Sequence, residues 1–236
     1  MKPYNPEKPL LSLHVPKCAG QSFRWLLQGW YGSRFFIHYF QQHNAPPPRH
    51  DWRAGVCIHG HFERSKKLAI EDYYPAADQF VTILRDPLEI AQSNYFFWKR
   101  KARQRQIERG VIREGGEQDY RDIDDFFKKR PRSHVLNFLP GDLNPENYQE
   151  VLESRFVWIG LAENLDREVP VLAARLGFSP VPIERINVSP RDENLSPDLR
   201  EEFIHNNRFE FEIFRYVREW WQKLEASKSD HGVESC

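Results

Sequence analysis

The segment His14-Val-Pro-Lys-Cys-Ala-Gly-Gln-Ser-Phe23 has the residue types that bind an anion at the start of a helix. Backbone N–H groups and the positive dipole end at a helix N-terminus attract phosphate-like groups. Gly20 lets the backbone approach closely, Lys17 adds a mobile charge, and the Ser22 hydroxyl can donate a hydrogen bond. From its shape alone, an ordinary strand-to-helix turn with a surface lysine is an equally good interpretation.

The order of residues in this segment differs from that of a Walker A loop. In Walker A the Lys and Ser/Thr follow the last Gly directly, whereas Lys17 precedes Gly20 here. The pair that would bring in magnesium is missing, which argues against an ordinary NTPase.

A second anion-binding candidate lies in Phe80–Tyr95. Arg85 stands at the end of a predicted strand, and Ser93 lies two turns into the helix predicted to follow it. The forked guanidinium could bind a second phosphate while the serine donates to it. The alternative is that Arg85 pairs with Asp86 and that Ser93 only packs.

The segment Cys57-Ile-His-Gly-His-Phe62 is the candidate for acid–base chemistry. His59 and His61 are two apart on a predicted strand, so both face the same side. Histidine is the side chain best suited to take a proton near neutral pH. Cys57 on the same face raises a metal site as an alternative, although three ligands so close together rarely complete one. From the residues alone, structural core histidines are the favoured interpretation.

Two basic runs follow along the chain. The range Lys99–Arg109 holds six basic residues and one acidic residue, and Lys128–Arg132 adds four basic residues. Such runs usually form a solvated helix face. Beside a cleft they could also attract a sulfated or carboxylated glycan. Nucleic-acid binding is disfavoured because the runs lack interleaved aromatic residues for stacking.

Composition limits the class of protein. The chain has 236 residues, with 34 Lys plus Arg against 34 Asp plus Glu, and 40% of its residues are hydrophobic. This argues for a globular domain with a core, and against both intrinsic disorder and a dedicated DNA-coating protein. The three cysteines, Cys18, Cys57 and Cys236, fit reduced thiols. With no apolar stretch of membrane-spanning length and no signal-peptide pattern, we expect a soluble cytoplasmic protein.

The elements that position these residues follow from short apolar runs between helical patterns. Strands are predicted at 10–15, 55–61, 80–84 and 156–160, and helices at 22–30, 87–109, 166–176 and 198–224, the last being one or two helices. Strands that alternate with helices predict an α/β fold with a mainly parallel central sheet flanked by helices. We expect a single domain over 1–225 and a polar, flexible tail over 226–236. Ligands of such sheets bind beyond the carboxyl ends of the strands.

Pro-Lys-x-x-Gly-x-Ser after the first strand, with Arg-Asp-Pro and a Ser eight residues beyond the Arg, resembles the sulfotransferases that use 3′-phosphoadenosine 5′-phosphosulfate (PAPS). The chain is most similar to their carbohydrate group, which includes the uronyl 2-O-sulfotransferases. The resemblance implies the P-loop-NTPase-like sulfotransferase fold. It also implies that Arg85 and Ser93 hold the 3′-phosphate, and that the 5′-phosphosulfate is held by Pro16, Lys17, Cys18, Ala19, Gly20, Gln21, Ser22 and Phe23.

The resemblance covers roughly residues 10–222. The run Phe156–Asp166 is similar to the later strand of the family and its Gly-x-x-Glu turn, and Phe209–Phe214 to its closing helix. The range Asn187–Arg191 is similar to the loop that closes over the nucleotide, which implies that Ser189 and Arg191 also bind the donor. The chain departs from the family pattern at three positions: Cys18 and Gln21 stand where Thr is frequent, and Phe209 stands where Asp is frequent.

The implied activity is in-line transfer of a sulfuryl group from PAPS to a hydroxyl of a carbohydrate or other anionic acceptor. The 3′,5′-bisphosphate PAP is the product, and no metal is implied. By resemblance His61 is the base, His59 positions the substrate, and Lys17 neutralises charge on the departing bisphosphate. Two alternatives are a nucleotide-dependent, kinase-like phosphotransferase and a non-catalytic module that binds sulfated glycans.

Some properties stay open at this point, including the identity of the acceptor, the contacts to the adenine and the oligomeric state. Many animal relatives are anchored in the Golgi by an N-terminal helix. Because the sequence shows no such helix, a bacterial cytoplasmic enzyme is expected, with no nucleic-acid partner and no membrane span.

Overall fold

The structure is a computed structural model that describes residues 1–41, 45–108, 120–183 and 192–230. Five strands form one sheet in the order β2-β3-β1-β4-β5, and every neighbouring pair is parallel. The strands are β1 (Leu10–Leu13), β2 (Phe35–His38), β3 (Cys57–Gly60), β4 (Phe80–Leu84) and β5 (Phe156–Leu161). The predicted α/β architecture with a parallel central sheet is confirmed.

Helices flank this sheet. They are α1 (Gly20–Tyr31), α2 (Ile70–Tyr73), α3 (Pro87–Glu108), α4 (Ile123–Lys129), α5 (Tyr148–Arg155), α6 (Leu165–Leu176), α7 (Pro197–Asn206) and α8 (Arg208–Asp230). The pattern predicted at 198–224 corresponds to two helices, and the second continues as far as Asp230. Among the described residues, no helix combines the length and the apolar character that a membrane crossing requires.

Burial explains which strands were visible in the sequence. Every residue of β1, β3, β4 and β5 is buried, because helices cover the sheet on both sides. Such strands appear as continuous apolar runs, and all four were predicted. Strand β2 lies at the edge of the sheet and is only partly buried. It was not predicted.

Helices α3 and α6 show the predicted end signals. Asp86 precedes α3, and its Oδ1 accepts hydrogen bonds from the backbone N–H groups of Leu88 and Glu89 at 2.9 and 3.2 Å. Pro87 occupies the first turn of α3, where its missing N–H costs nothing. Gly177 ends α6 with a φ of 75°, in the left-handed region that glycine favours.

A second, smaller apolar cluster connects α3, α4 and α7 beside the sheet. Tyr95 of α3 packs against Phe126 of α4, and Phe127 of α4 against Phe203 of α7. The chain that follows α4 is tied to the start of α8, where Glu210 Oε1 accepts from the backbone N–H of Leu136 at 3.3 Å. These contacts fix a wall next to the carboxyl edge of the sheet.

Candidate active site

The order of the strands defines where a ligand would bind. After β1 the chain passes to β2 and β3 on one side, and then crosses to β4 and β5 on the other. A crevice forms outside the carboxyl ends of the strands at such a reversal. The residues that directly follow β1, β3 and β4 are His14, His61 and Arg85. Two of the predicted site residues, His61 and Arg85, are therefore at this edge.

The loop between β1 and α1 has an unusual backbone. Lys17 and Ala19 have φ values of 68° and 54°, a left-handed conformation that costs a non-glycine residue on the order of 1–3 kcal/mol. Ala19 is the N-cap of α1, so the helix begins at Gly20 rather than at the predicted residue 22. Left-handed residues in a tight loop before a helix turn successive N–H groups toward one concavity, which is a geometry for anion binding.

Gly20 is required here for a contact within the protein. A Cβ at this position would lie 1.7 Å from Nε2 of His14, so the imidazole fills the space that a side chain would need. The prediction gave Gly20 a different role, the close approach of the backbone to a ligand. The structure shows that a side chain at this position would clash with the His14 ring.

On the β4 side of the loop, cations gather. The Lys17 Nζ lies 4.2 Å from the centre of the Phe97 ring, and Lys101 Nζ lies 4.9 Å from the same centre. Arg100 is also near this ring. Burial, and then the charges of Arg100 and Arg85, lower the pKa of Lys17 from 10.5 to about 8. Like charges held this close favour the binding of an anion.

Arg85 connects the loop to α3. Its Nη1 donates to the backbone carbonyl of Lys17 at 3.4 Å, and its Nη2 pairs with Glu89 at 3.1 Å. Asp86, the alternative partner considered from the sequence, caps α3 instead. Ser93 follows Glu89 by four residues and so lies on the same face of α3, between Glu89 and Phe97.

On the other side of β1, three aromatic rings form a row. His14, His61 and Tyr39 each follow the last residue of a strand, and the registers of β1, β3 and β2 place them at the same level. His14 stacks on His61 with ring centres 4.4 Å apart, and Tyr39 packs edge-on against His61 at 4.8 Å. The Tyr39 hydroxyl lies 2.6 Å from Nδ1 of His14.

The contacts of His61 assign its tautomer. Its Nδ1 lies 2.8 Å from the carbonyl oxygen of His14 and must carry the hydrogen, because a carbonyl only accepts. The lone pair of the neutral ring is then on Nε2. Burial lowers the pKa of His61, opposed by the His14 carbonyl and the charge of Glu63. His61 is therefore neutral near pH 7 and has one basic nitrogen available.

His59 lies in the layer beneath this row. It is fully buried, its Nδ1 is 2.8 Å from the Ser12 hydroxyl, and burial lowers its pKa to about 3. Its ring stacks on His14 at 5.2 Å, so it touches the site through that residue. Between the two histidines, a Cβ on Gly60 would lie 1.9 Å from the His38 carbonyl oxygen. The close approach of β2 and β3 therefore requires this glycine.

The remaining residues of the loop between β1 and α1 differ in burial. Cys18 and Phe23 are buried in the core, where Phe23 stacks on Trp158 at 5.5 Å. Gln21 is exposed, and Ser22 is buried at the start of α1. Burial raises the pKa of both thiols, Cys18 and Cys57. Within the described ranges, no group of three or more His, Cys, Asp or Glu side chains is arranged to hold a metal ion.

An open cavity of about 190 Å³ adjoins the row of rings. Phe138, which lines the cavity, packs against His61 at 5.5 Å. Pro16 and Glu63 line it from the loops after β1 and β3. The opposite wall comes from α3, α4 and the chain after α4, with Asn94, Trp98, Phe126, Arg130, Arg132 and His134. The cavity combines aromatic surface with exposed positive charge.

The two basic runs are only partly accounted for by ion pairs. Lys99 pairs with Asp192 and Glu193 at 2.9 and 2.6 Å, as expected of a solvated helix face. Lys129 pairs with Asp125 at 2.8 Å. Arg132, by contrast, faces the cavity. The proposed closing-loop residues Ser189 and Arg191, and the basic run beyond residue 108, lie outside the described residues.

Sequence reasoning missed three parts of this site: His14, Tyr39 and the lining of the cavity. His14 lies within the first predicted strand, at 10–15, and its role depends on a neighbouring strand. The run Phe35–Phe40 is rich in aromatic residues, which is typical of strands, and could have revealed β2 and therefore Tyr39. The cavity residues come from several separate elements and have no local signal.

No protein-family model matches the chain, and no curated protein matches it.

Proposed function

We propose that the protein is a sulfotransferase that moves a sulfuryl group from PAPS to a hydroxyl of an anionic acceptor, in a P-loop-like sulfotransferase fold. The observation that carries this proposal is that a histidine with Nδ1 bound to a carbonyl and a loop with clustered cations lie at one edge of the sheet. The motif resemblance described above supports the same assignment.

The residues on the β4 side fit a ligand with two anionic ends. The loop from Pro16 to Phe23, at the N-terminus of α1, receives the 5′-phosphosulfate, and Lys17 neutralises charge as the transfer proceeds. Arg85 follows β4 just before α3, Ser93 lies within α3, and the two residues receive the 3′-phosphate. The crowding of Lys17, Arg85 and Arg100 supports this fit, because an anion would relieve their repulsion. PAPS, when bound, supplies the sulfuryl group.

The residues on the β3 side take the proton. His61 is held with Nδ1–H on the His14 carbonyl, so Nε2 accepts the proton of the acceptor hydroxyl. The resulting imidazolium keeps its hydrogen bond to that carbonyl, and the Glu63 charge favours it. His59, buried beneath, supports the row from below instead of contacting an acceptor.

The cavity beside Phe138 supports an anionic acceptor with an apolar face. Trp98 and Phe138 provide surface on which a sugar ring can pack, and Arg130 and Arg132 provide charge. We expect Arg132→Ala to raise the KM for an acidic acceptor severalfold and to leave the KM for a neutral acceptor of the same size unchanged. Steady-state assays with matched acidic and neutral sugars measure this difference.

Thermal shift with PAP against ATP with magnesium tests the function itself. Saturating PAP at about 100 times its Kd stabilises the protein by about 2.7 kcal/mol, which corresponds to several degrees in Tm. Transfer of labelled sulfate from PAPS completes the test. Stabilisation by ATP with magnesium alone would favour the kinase-like alternative. Glycan binding that is indifferent to PAP, without transfer, would favour the non-catalytic module.

A further inference from the structure

His61 is held by ring contacts to Tyr39 and His14 in addition to its hydrogen bond to the His14 carbonyl. His14 contacts it twice, through the carbonyl at 2.8 Å and through the stacked ring at 4.4 Å. Tyr39 packs against His61 and is hydrogen-bonded to His14. Each of the three residues comes from a different strand end, so the contact exists only when β2, β3 and β1 are in register.

The Tyr39 hydroxyl is held in its protonated form, since burial raises its pKa. Burial also keeps the neighbouring His14 neutral by lowering its pKa well below 6.5. A phenol is a far stronger acid than a neutral imidazole N–H, so the hydroxyl donates to the Nδ1 lone pair of His14. The His14 hydrogen is then on Nε2, the nitrogen that lies against Gly20 at the start of α1.

We infer that Tyr39 and His14 are positioning residues for His61: the Tyr39 hydroxyl holds His14 in a single tautomer and orientation, and His14 holds His61 with Nε2 as its basic nitrogen. The inference rests on the proposed function for its catalytic consequence. Its structural content, the tautomers of two histidines, is independent of that function.

A double-mutant cycle tests the catalytic part. Tyr39→Phe removes one hydroxyl and is expected to lower kcat about fivefold to tenfold, the size of one lost hydrogen bond, with little change in the KM for PAPS. In a His61→Ala background the same change is expected to have less than about a twofold effect, because its target is gone. Equal losses in the two backgrounds, or no loss in either, would overturn the inference.

A matched control separates this role from general stability. Tyr31→Phe also removes a largely buried hydroxyl, one hydrogen-bonded to Tyr4 at 3.3 Å away from the site. It is expected to leave kcat unchanged. A loss as large as that of Tyr39→Phe would mean that any such hydroxyl matters equally, and would contradict the assignment.

Imidazole ¹⁵N spectra provide a readout without activity. We expect His61 as the Nδ1–H tautomer and His14 as the Nε2–H tautomer, and we expect Tyr39→Phe to average the two His14 nitrogens. Unchanged spectra in that variant would overturn the inference. If the protein transfers no sulfate but shows the expected spectra and their change, the proposed function fails while the positioning contact stands.

Discussion

At the carboxyl edge of the sheet, the residues on the two sides of β1 differ in charge. We call the β3 and β2 side the neutral side and the β4 side the cationic side. On the β3 and β2 side, His14, His61 and Tyr39 are packed together and kept neutral by burial. On the β4 side, Lys17 and Arg85 are held near further cations on α3 despite their repulsion. The first arrangement favours a group that accepts a proton, and the second favours a site that receives an anion. In the proposed reaction, proton removal and charge neutralisation would therefore occur on opposite sides of a single strand.

The largest effect tests the neutral side. His61→Ala is expected to keep the fold and to lower kcat by about two orders of magnitude or more, because the proposed general base is lost. Circular dichroism and PAP binding serve as controls and should be unchanged. Near-normal turnover would assign the base to another residue. In the native protein, kcat/KM should fall at low pH as His61 is protonated, through its lowered pKa. It should fall again above about pH 8, where Lys17 loses its charge.

A nearly equal effect tests the cationic side. Lys17→Ala is expected to lower kcat about a hundredfold, because in the proposed reaction this charge stabilises the transition state. Lys17→Arg should retain much of the rate. Lys101→Ala is the matched control, since Lys101 lies over the same Phe97 ring but is exposed. It should change kcat less than about twofold. Equal losses in Lys17→Ala and Lys101→Ala would mean that only the total charge of this side matters.

A smaller effect concerns stability on the neutral side. Burial lowers the pKa of His38 from 6.5 to about 4, and neither ring nitrogen has a partner among the described residues. The unfolded chain binds this proton more readily, so the stability contributed by neutral His38 is complete above pH 6.5 and is lost as the pH falls toward 4. The His38 ring stacks on the ring of Phe62. In the His38→Phe variant, the difference in unfolding free energy between pH 8 and pH 5 should be smaller by about 2 kcal/mol.

Urea unfolding at the two pH values measures this difference. The control is His205→Gln on α7, where the histidine is exposed. A change as large as that of His38→Phe would mean that the loss of any histidine alters the pH dependence equally. An identical pH dependence for His38→Phe and the native protein would show that His38 is not held neutral by its burial.

The smallest effect refines the cationic side. Glu89 pairs with Arg85 at 3.1 Å and would compete with the proposed anionic ligand for its guanidinium. Glu89→Gln is therefore expected to tighten PAP binding about twofold to fivefold, which is the range of an exposed ion pair. Arg85→Ala should weaken it at least tenfold. Isothermal titration measures both. Weaker binding in Glu89→Gln would mean that Glu89 orients Arg85 for the ligand.

The parts of the fold that could be predicted are those determined by a short segment of the sequence. Four buried strands show as apolar runs, Pro87 marks the start of α3, and Gly177 marks the end of α6. Strand β2 and the short helices α2, α4 and α5 were missed, because their burial patterns depend on neighbours that are distant in sequence. The start of α1 was displaced by two residues because Ala19, a poor N-cap by type, adopts a left-handed conformation.

The candidate site also has a part that the sequence predicted and a part that only the structure revealed. Residue types and spacing singled out Lys17, Gly20, Arg85 and Ser93 as candidates, because each lies just after an apolar run or within a local motif. For His61 they favoured a core histidine, and only the family resemblance implied a base. They left the partner of Arg85 undecided between binding a ligand and pairing with Asp86. The structure gives Glu89 as that partner, since one helical turn brings position 89 beneath the guanidinium.

By itself, the sequence determined an α/β chain with a parallel sheet and a loop with Lys17 and Gly20 between its first strand and first helix. These features follow from the composition and periodicity of short segments, so they can be predicted without knowledge of distant contacts. Only the tertiary structure decided that His14 and Tyr39 meet His61, that His59 is buried beneath them, and that Gly20 accommodates an imidazole. These contacts join three strand ends through the order and register of the sheet, which no local pattern encodes.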